Sequence, residues 1–420
     1  MTRAESAEPT MPPMRRDPAD PFPWYRAMRA AGPVRYRPEH DSWHAFGYAD
    51  VQRVLSEHAT FSSQASLGGP PTGGPGGPGG PGGREGRTPL QASLIGTDPP
   101  RHRQLRALVS QAFTPRAIAN LAPRIEAVVG ELLDRVAESG RMDVIEDLAY
   151  PLPVIVIAQL LGIPPEERDR FKAWSDAVVT GASAGVGAAP AVTAGQAHAE
   201  MAGYFGGLIA RRRAQPEDDL ISGLIAARID GEGLSTAELL GFCVLLLIAG
   251  NETTTNLIGN AVLCFDESPP ALAAVRADPA LLPGALEEVL RFRSPVQSMF
   301  RTVARDATLG GQELRAGQRV LAWIGSANRD GEVFRDPDRF DPQRTPNRHI
   351  AFGSGVHFCL GAPLARLEAR IALTALLART SGLRRAGDGP LPVVESGIVY
   401  GVRHLPVVFD PAPDGGPPRS

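Results

Sequence analysis

Residues 352–361 of this chain read Phe352-Gly353-Ser354-Gly355-Val356-His357-Phe358-Cys359-Leu360-Gly361 and stand immediately before a segment with helical apolar spacing, Leu360 to Arg379. Thiolate is the form of cysteine that ligates metals, and the start of a helix offers free N–H groups and a positive dipole end to hold its charge. The first two glycines permit backbone conformations that other residues avoid, and Gly361 permits close approach to a flat cofactor. The stretch predicts that Cys359 is an anionic metal ligand.

A lone cysteine is more often a buried core residue than a ligand, but the surrounding glycines argue against that alternative here. The other two cysteines, Cys243 and Cys264, lie on one long apolar segment and are interpreted as inert core residues. Three scattered cysteines are too few for a disulfide framework and indicate a reducing compartment.

The decapeptide resembles the haem-binding signature of the cytochrome P450 family, F-G-x-G-x-H-x-C-x-G, at every fixed position. The resemblance implies that haem b is the cofactor and that Cys359 is the axial ligand of its iron. In that family thiolate ligation favours cleavage of the O–O bond. The resemblance also implies that Phe352 packs near the sulfur, that Gly353 and Gly361 belong to the cofactor site, and that His357 reaches a haem propionate.

A second motif, Ala249-Gly250-Asn251-Glu252-Thr253-Thr254, interrupts the long helix that is predicted to begin at the capping box Ser235-Thr236-Ala237-Glu238. It resembles the family's oxygen-binding motif, A/G-G-x-D/E-T-T/S. The resemblance implies that the two small residues make room for dioxygen, that the Thr253 hydroxyl steadies it, and that Glu252 connects to a proton supply. The alternative is a polar kink in which the threonine hydroxyl bonds back to the preceding turn.

Basic residues elsewhere in the chain are candidates for binding the haem propionates. His102 and Arg106 are four residues apart on a predicted helix with Asp98 as its N-cap, so they can address one anionic group together. By resemblance this helix carries propionate ligands, and Arg301 stands where another is expected. The alternative for single charges of this kind is solvent exposure.

Glu288 and Arg291 match the family's E-x-x-R motif and share one helix face. Such pairs are commonly solvated surface charges. The pair precedes residues 336–341, which resemble the family's meander. By that resemblance Arg339 completes a buried Glu-Arg-Arg network with a structural role.

Charge and hydropathy exclude several classes of protein. The chain has 43 Lys and Arg residues against 46 Asp and Glu residues, so no basic surplus indicates nucleic acid or an anionic membrane as partner. The N-terminus has no apolar core of a signal peptide, and the apolar run Leu239–Gly250 is too short to cross a bilayer. We expect a cytoplasmic protein without a membrane anchor.

Helical patterns dominate and strands are short and local, which indicates a mainly α fold with small β-sheets and, by resemblance, the P450 fold. We expect a disordered N-terminus (1–16), one haem-thiolate domain (17–410) and a disordered tail (411–420). The tract 68–83 contains ten Gly, five Pro and one Thr, and is expected to be a flexible loop.

The resemblance implies a monooxygenase of secondary metabolism that inserts one oxygen atom from O2 into a hydrophobic small molecule, by C–H hydroxylation or epoxidation. Electrons would come from NAD(P)H through a ferredoxin and a ferredoxin reductase, since no flavin or iron-sulfur segment follows the haem domain. A monomer is expected. Two alternatives stay open: a peroxide-driven peroxygenase, although family members of that kind typically lack an acid-alcohol pair such as Glu252-Thr253, and a non-catalytic haem-binding protein.

Overall fold

The computed structural model of the protein describes residues 20–64, 93–111, 113–167, 170–171, 173–174, 177, 191–394 and 396–411. The expected disordered N-terminus (1–16) and the Gly/Pro tract (68–83) lie outside the described residues. Of the expected tail, Pro411 is the last residue of a strand, and 412–420 also lie outside.

Helices make up most of the described structure. In chain order they are α1 Phe22–Ala31, α2 Tyr48–Ser56, α3 Arg101–Ser110, α4 Pro115–Ala119, α5 Ala122–Asp134, α6 Pro151–Leu160, α7 Ala191–Ala214, α8 Leu220–Ala226, α9 Thr236–Glu267, α10 Pro269–Ala277, α11 Leu282–Phe292, α12 Ile324–Ala327 and α13 Ala362–Arg379. A π-helical turn, Val144–Ala149, precedes α6.

The strands are short. They are β1 Val34–Arg37, β2 Ser42–Ala45, β3 Phe61–Ser62, β4 Arg141–Asp143, β5 Ser298–Val303, β6 Ala307–Leu309, β7 Gln312–Leu314, β8 Arg319–Trp323, β9 Thr380–Arg385 and β10 Pro406–Pro411. The largest sheet has the order β1-β2-β8-β5-β3, with β2 and β8 parallel and the other neighbours antiparallel. A three-stranded sheet, β4-β10-β9, and the β6–β7 hairpin complete the β structure, and the predicted mainly α fold is confirmed.

The helix α9 forms the centre of the fold. Its predicted capping box is present: the Ser235 hydroxyl accepts a hydrogen bond from the Glu238 amide at 3.2 Å, and the Glu238 carboxylate accepts one from the Ser235 amide at 2.9 Å. Within the part of the chain that the structure describes, α9 is the one helix long and apolar enough to cross a membrane. It packs instead against α6, α7 and α13, which indicates the central helix of a folded core.

The helix α13 packs against α5, α9 and α11 and so fixes the position of the cysteine loop that precedes it. The chain between α12 and α13 is almost entirely irregular, as predicted, with one short turn of 3-10 helix at Gly355–His357. Such a long irregular segment inside a folded domain is uncommon and is usually functional.

Glu288 is the centre of a buried network in this irregular region, but Arg339 is not its third member, and that prediction was wrong. The Arg344 side chain makes the second ion pair with Glu288, with Nε 3.0 Å from Oε1. The Arg339 side chain is exposed, and only its carbonyl oxygen joins the network, accepting hydrogen bonds from Arg291 and Arg344. The meander turns between these residues, which directs the later arginine inward.

Candidate functional site

The cysteine loop takes the conformation that its glycines suggest. Gly353 and Gly355 have φ angles of 78° and 70°, in the left-handed region that favours glycine. A Cβ on Gly355 would also lie 2.7 Å from the Cα of Ser56, so α2 leaves no room for a side chain there. The loop closes on itself, because the Cys359 amide donates to the Phe352 carbonyl at 2.9 Å.

Cys359 stands at the start of α13, and its side chain is solvent-accessible although protein surrounds it on most sides. Desolvation raises the pKa of its thiol above the ordinary value. Four groups oppose that effect and lower the pKa: the backbone N–H groups of Gly361 and Ala362, and the charges of Arg106 and Arg366. Each of the four stabilises the thiolate, the form that binds a metal.

His102 is a buried histidine with unmet hydrogen-bonding capacity. Only 1% of its surface is exposed, and among the described residues neither ring nitrogen has a hydrogen-bond partner. Desolvation and the nearby charges of His357 and Arg106 lower its pKa to about 4. Leaving such a group without a partner costs about 1–3 kcal/mol. The position therefore calls for an acceptor or a negative charge.

Two further predicted residues lie beside His102. The His357 ring centroid is 4.3 Å from that of His102, and desolvation lowers its pKa. Arg301 is 4% exposed, and its Nη1 donates a hydrogen bond to the carbonyl oxygen of its chain neighbour Phe300 at 2.8 Å. Desolvation lowers the pKa of Arg301 to about 10, against the opposing charge of Asp98. A buried cluster with two imidazoles and a guanidinium suits an anionic ligand.

Asp98 has a different place from the one predicted, because α3 begins at Arg101 and Asp98 is not its N-cap. Its carboxylate accepts hydrogen bonds from the Ser62 hydroxyl and the Ser63 amide, and lies 3.6 Å from His357 Nε2. The consecutive prolines 99 and 100 shift the helix start. Asp98 thus orients His357, a role that no motif in the sequence revealed.

Arg106 points to the cysteine loop. Its Nη1 donates to the Phe358 carbonyl at 2.7 Å, next to Cys359 in the chain. Its charge also reaches His102, whose pKa it lowers. Arg106 therefore lies between the cysteine loop and the cluster around His102.

One face of α9 remains accessible in the middle of the core. Leu246, Ala249, Gly250 and Thr253 are half-buried or exposed, whereas the intervening Leu247, Asn251 and Thr254 are buried. Together with Leu245, Ile248 and Glu252, which are also half-buried, the accessible positions form one broad side of the helix, opposite the buried positions. Such a face lines an open space and is available to a small ligand.

Thr253 and Gly250 each make a specific contact on or beside this face. The Thr253 hydroxyl donates to the Ala249 carbonyl at 2.6 Å, the backward bond that formed the alternative interpretation of this motif. A Cβ on Gly250 would lie 2.7 Å from Ile157 Cδ1, so this glycine allows α6 and α9 to pack closely. The sequence predicts glycine here because it makes room for dioxygen, whereas the structure shows that a side chain would collide with Ile157. Glu252 is half-buried one residue before Thr253.

A second group of residues beside Cys359 was missed. Glu287, His349 and Arg366 form one ion-pair cluster, and the Arg366 guanidinium lies 4.5 Å from the centre of the Phe352 ring. No motif in the sequence assigns a role to His349. The signal available in the sequence was the adjacency of Glu287 to the E-x-x-R motif, which does not reveal its partners.

The residues present fit haem b. A thiol at a helix start can supply one ligand to iron, and the unpartnered nitrogens of His102 with the charge of Arg301 can hold propionates. The accessible face of α9 provides a surface for the side of the cofactor where a substrate binds. No other described cluster combines these three features.

Comparisons with known proteins agree with this geometry. A family model described as Cytochrome P450 matches residues 194–399. Cytochrome P450 109 of Bacillus spizizenii is 43% identical over 391 residues, 92% of this chain and 91% of that protein. The erythromycin C-12 hydroxylase of Saccharopolyspora erythraea is 41% identical over 394 residues, 93% of this chain and 94% of that protein.

The fold agrees as well. The crystal structure of CYP109E1 from Bacillus megaterium in complex with corticosterone is similar to this one with a TM-score of 0.82 and 41% identity, covering 94% of this chain and 99% of that chain. Relatives more than 40% identical therefore extend along more than nine-tenths of the sequence. The chain belongs to the cytochrome P450 family.

Proposed function

We propose that Cys359 would supply the thiolate ligand to the iron of haem b in a monooxygenase that acts on a hydrophobic small molecule. The observation that carries this proposal is the accessible sulfur at the start of α13, surrounded by two backbone N–H groups and two arginines that favour its ionised form. Family membership gives the reaction class, and relatives named as hydroxylases and an epoxidase belong to it.

When bound, haem b supplies the iron centre at which O2 is activated, with electrons that come ultimately from NAD(P)H. His102, His357 and Arg301 would hold its propionates. In that role a propionate would accept a hydrogen bond from a ring N–H of His102, and its negative charge would offset the desolvation of Arg301. Arg106 would fix the cysteine loop through the Phe358 carbonyl and add positive charge near both sulfur and propionate. Phe352, Gly353 and Gly361 would shape the loop around the sulfur.

On the other side of the cofactor, Ala249, Gly250, Glu252 and Thr253 would form the oxygen site. The Thr253 hydroxyl is oriented by the Ala249 carbonyl, and it can accept a hydrogen bond while it donates this one. Glu252 would relay protons from solvent toward that hydroxyl, because a carboxylate can both take up and release a proton. The close packing of Gly250 on Ile157 would hold this part of α9 in place.

Bacterial members of this family use separate redox partners and small-molecule substrates. For this protein we propose a ferredoxin and its reductase, with cytoplasmic location and a monomeric state. Arg103 is exposed on α3 and is available to an acidic partner. Arg101 is less available, because it is paired with Glu238 at 2.5 Å.

Spectroscopy of the reduced protein with carbon monoxide tests the ligand. Wild type should give the red-shifted Soret band expected of thiolate ligation, and Cys359→His should abolish that band. The matched control is Cys243→Ala, which removes a buried core cysteine and should keep the band. An unchanged spectrum in Cys359→His would exclude Cys359 as the ligand.

The substrate can be sought by titrating the ferric protein with a panel of hydrophobic compounds and following the Soret shift. CYP109E1 was crystallised with corticosterone, so steroids belong in the first panel, beside fatty acids, terpenoids, macrolides and aromatic natural products. Ligands that displace water from iron should produce a saturable shift. A compound that gives no shift is not held next to the iron.

A further inference from the structure

Three residues from separate parts of the chain meet beside the cysteine loop. Glu287 lies on α11, His349 in the irregular segment and Arg366 on the first turns of α13. The Glu287 carboxylate accepts hydrogen bonds from Arg366 Nε at 2.6 Å and from Arg366 Nη2 at 2.8 Å. His349 Nε2 lies 2.9 Å from Glu287 Oε2. Bidentate pairing of this kind fixes the plane of a guanidinium.

The fixed guanidinium faces the cysteine loop. Arg366 lies over the Phe352 ring, with 4.5 Å between the guanidinium carbon and the ring centre, and the His349 ring is 6.3 Å from the same ring. Phe352 is also the residue whose carbonyl accepts the Cys359 amide. The carboxylate, the guanidinium, the aromatic ring and the cysteine thus form a continuous series of contacts.

The charges in this series act on the sulfur. Arg366 lies close enough to Cys359 for their charges to attract each other. The two hydrogen bonds to Glu287 hold the guanidinium in its charged form. Desolvation raises the pKa of Glu287, but hydrogen bonds from Arg366 and His349 outweigh it and bring the pKa to about 2, so the carboxylate is ionised near neutral pH. A positive charge held near a thiolate withdraws electron density from its bond to a metal, and the effect falls with distance.

We propose that Glu287 and His349 are positioning residues that hold Arg366 against Phe352, so that the guanidinium charge stabilises the thiolate and raises the reduction potential of the bound iron. This inference rests on the proposed role of Cys359. It assigns the cluster a function in the electron-transfer step, whereas an ordinary surface ion pair contributes only slightly to stability.

Two substitutions test whether the position of the guanidinium matters beyond the presence of its charge, because neither substitution changes the net charge. Glu287→Asp keeps the carboxylate but shortens its reach by one methylene, and Arg366→Lys keeps the positive charge but loses the fork that pairs with Glu287 and stacks on Phe352. The measurement is a spectropotentiometric titration of the haem-loaded protein. At a fixed potential near the wild-type midpoint, both variants should show a several-fold lower ratio of ferrous to ferric protein. Arg366→Gln, which removes the charge, should shift the ratio further in the same direction.

The matched control is Arg315→Gln, which removes an exposed arginine paired with Asp306 at 2.8 Å on the β6–β7 hairpin and should leave the ratio unchanged. Equal midpoint potentials for Glu287→Asp, Arg366→Lys and wild type would overturn the inference, and so would an upward shift of the midpoint in either variant.

Carbon monoxide spectra show whether the role of Cys359 or only the role of this cluster is wrong. A missing red-shifted band in wild type defeats the role of Cys359, whereas normal bands with unmoved midpoints defeat only the role of this cluster. If Glu287→Asp binds no haem, Arg366→Lys gives the same readout.

Discussion

Arg291 donates two hydrogen bonds to the Glu288 carboxylate, at 2.7 and 2.8 Å, although both side chains are completely excluded from solvent. Arg344 adds two more contacts to the same carboxylate, at 3.0 and 3.1 Å. Ions buried in this way are tolerated only when nearly every lone pair and N–H group has a partner. The network therefore ties α11 to the irregular segment that leads into the cysteine loop.

Arg344→Ala should destabilise the protein by about 3–5 kcal/mol, because it leaves part of a buried charge without its partner. The matched control is Arg339→Ala, which removes an exposed side chain and should change stability by less than about 0.5 kcal/mol. The measurements are the free energy of unfolding in urea and the haem content after purification. Glu288→Ala should resemble Arg344→Ala. Equal stability of the two arginine variants would contradict the assignment of Arg344 to the network.

Thr253→Ala should keep haem binding and electron consumption but lower product yield and raise peroxide release. The reason is that the substitution removes the hydroxyl that the Ala249 carbonyl orients at 2.6 Å. The measurement is the ratio of product and peroxide to NAD(P)H consumed, with a substrate found by the spectral screen. Thr253→Ser keeps the hydroxyl and should remain largely coupled. Full coupling in the alanine variant would show that the hydroxyl is dispensable.

Gly250→Ala should destabilise the protein in the wild-type background, because the new Cβ would lie 2.7 Å from Ile157 Cδ1. Overpacking of this kind costs about 1–3 kcal/mol, which exceeds the gain of about 1 kcal/mol from replacing glycine in a helix. Ile157→Val removes the Cδ1 atom. In that background Gly250→Ala should be neutral or stabilising, and the measurement is a double-mutant cycle of unfolding free energies. An equal effect in both backgrounds would show that the contact does not limit this position.

Glu368 should make stability depend on pH. The residue is 1% exposed on α13, its Oε1 has no hydrogen-bond partner among the described residues, and desolvation raises its pKa to about 8. Above the ordinary glutamate pKa the unfolded chain releases this proton while the folded protein retains it, so the contribution of Glu368 to stability falls as pH rises, until the folded pKa is reached.

The free energy of unfolding of Glu368→Gln should therefore rise relative to wild type by about 3 kcal/mol between pH 5 and pH 8. Other titrating groups are common to both proteins and cancel in the difference. Asp134→Asn is a suitable control, since Asp134 is an exposed carboxylate and its variant should show a flat difference. A pH-independent difference for Glu368→Gln would mean that this carboxyl group is ionised in the folded protein.

The parts of the site that follow from local sequence were predictable. The left-handed glycines at 353 and 355 and the capping box at Ser235 depend on residues only a few positions apart. The wrong or missing assignments depend on long-range contacts. Arg339 and Arg344 are five residues apart in one irregular segment, and only the path of the backbone decides which of them reaches Glu288.

The same reasoning explains Asp98 and Arg366. The helix begins two residues later than predicted, so Asp98 is not its cap but a partner of Ser62, Ser63 and His357. Arg366 and Glu287 lie on different helices and are 79 residues apart in sequence. Neither local composition nor apolar periodicity carries information about such pairs.

The parallel pairing of β2 with β8 places a constraint on synthesis of the chain. Ser42 is opposite Arg319, so the hairpin β1–β2 leaves the ribosome long before the strand that completes its sheet. Until then its free edge can pair with other chains, which is a known route to aggregation. The helices between them have contacts closer in sequence and can assemble first. Production of the enzyme should therefore benefit from a low expression level and low temperature, because fewer unfinished chains are then present at the same time to pair with the free edge of β2.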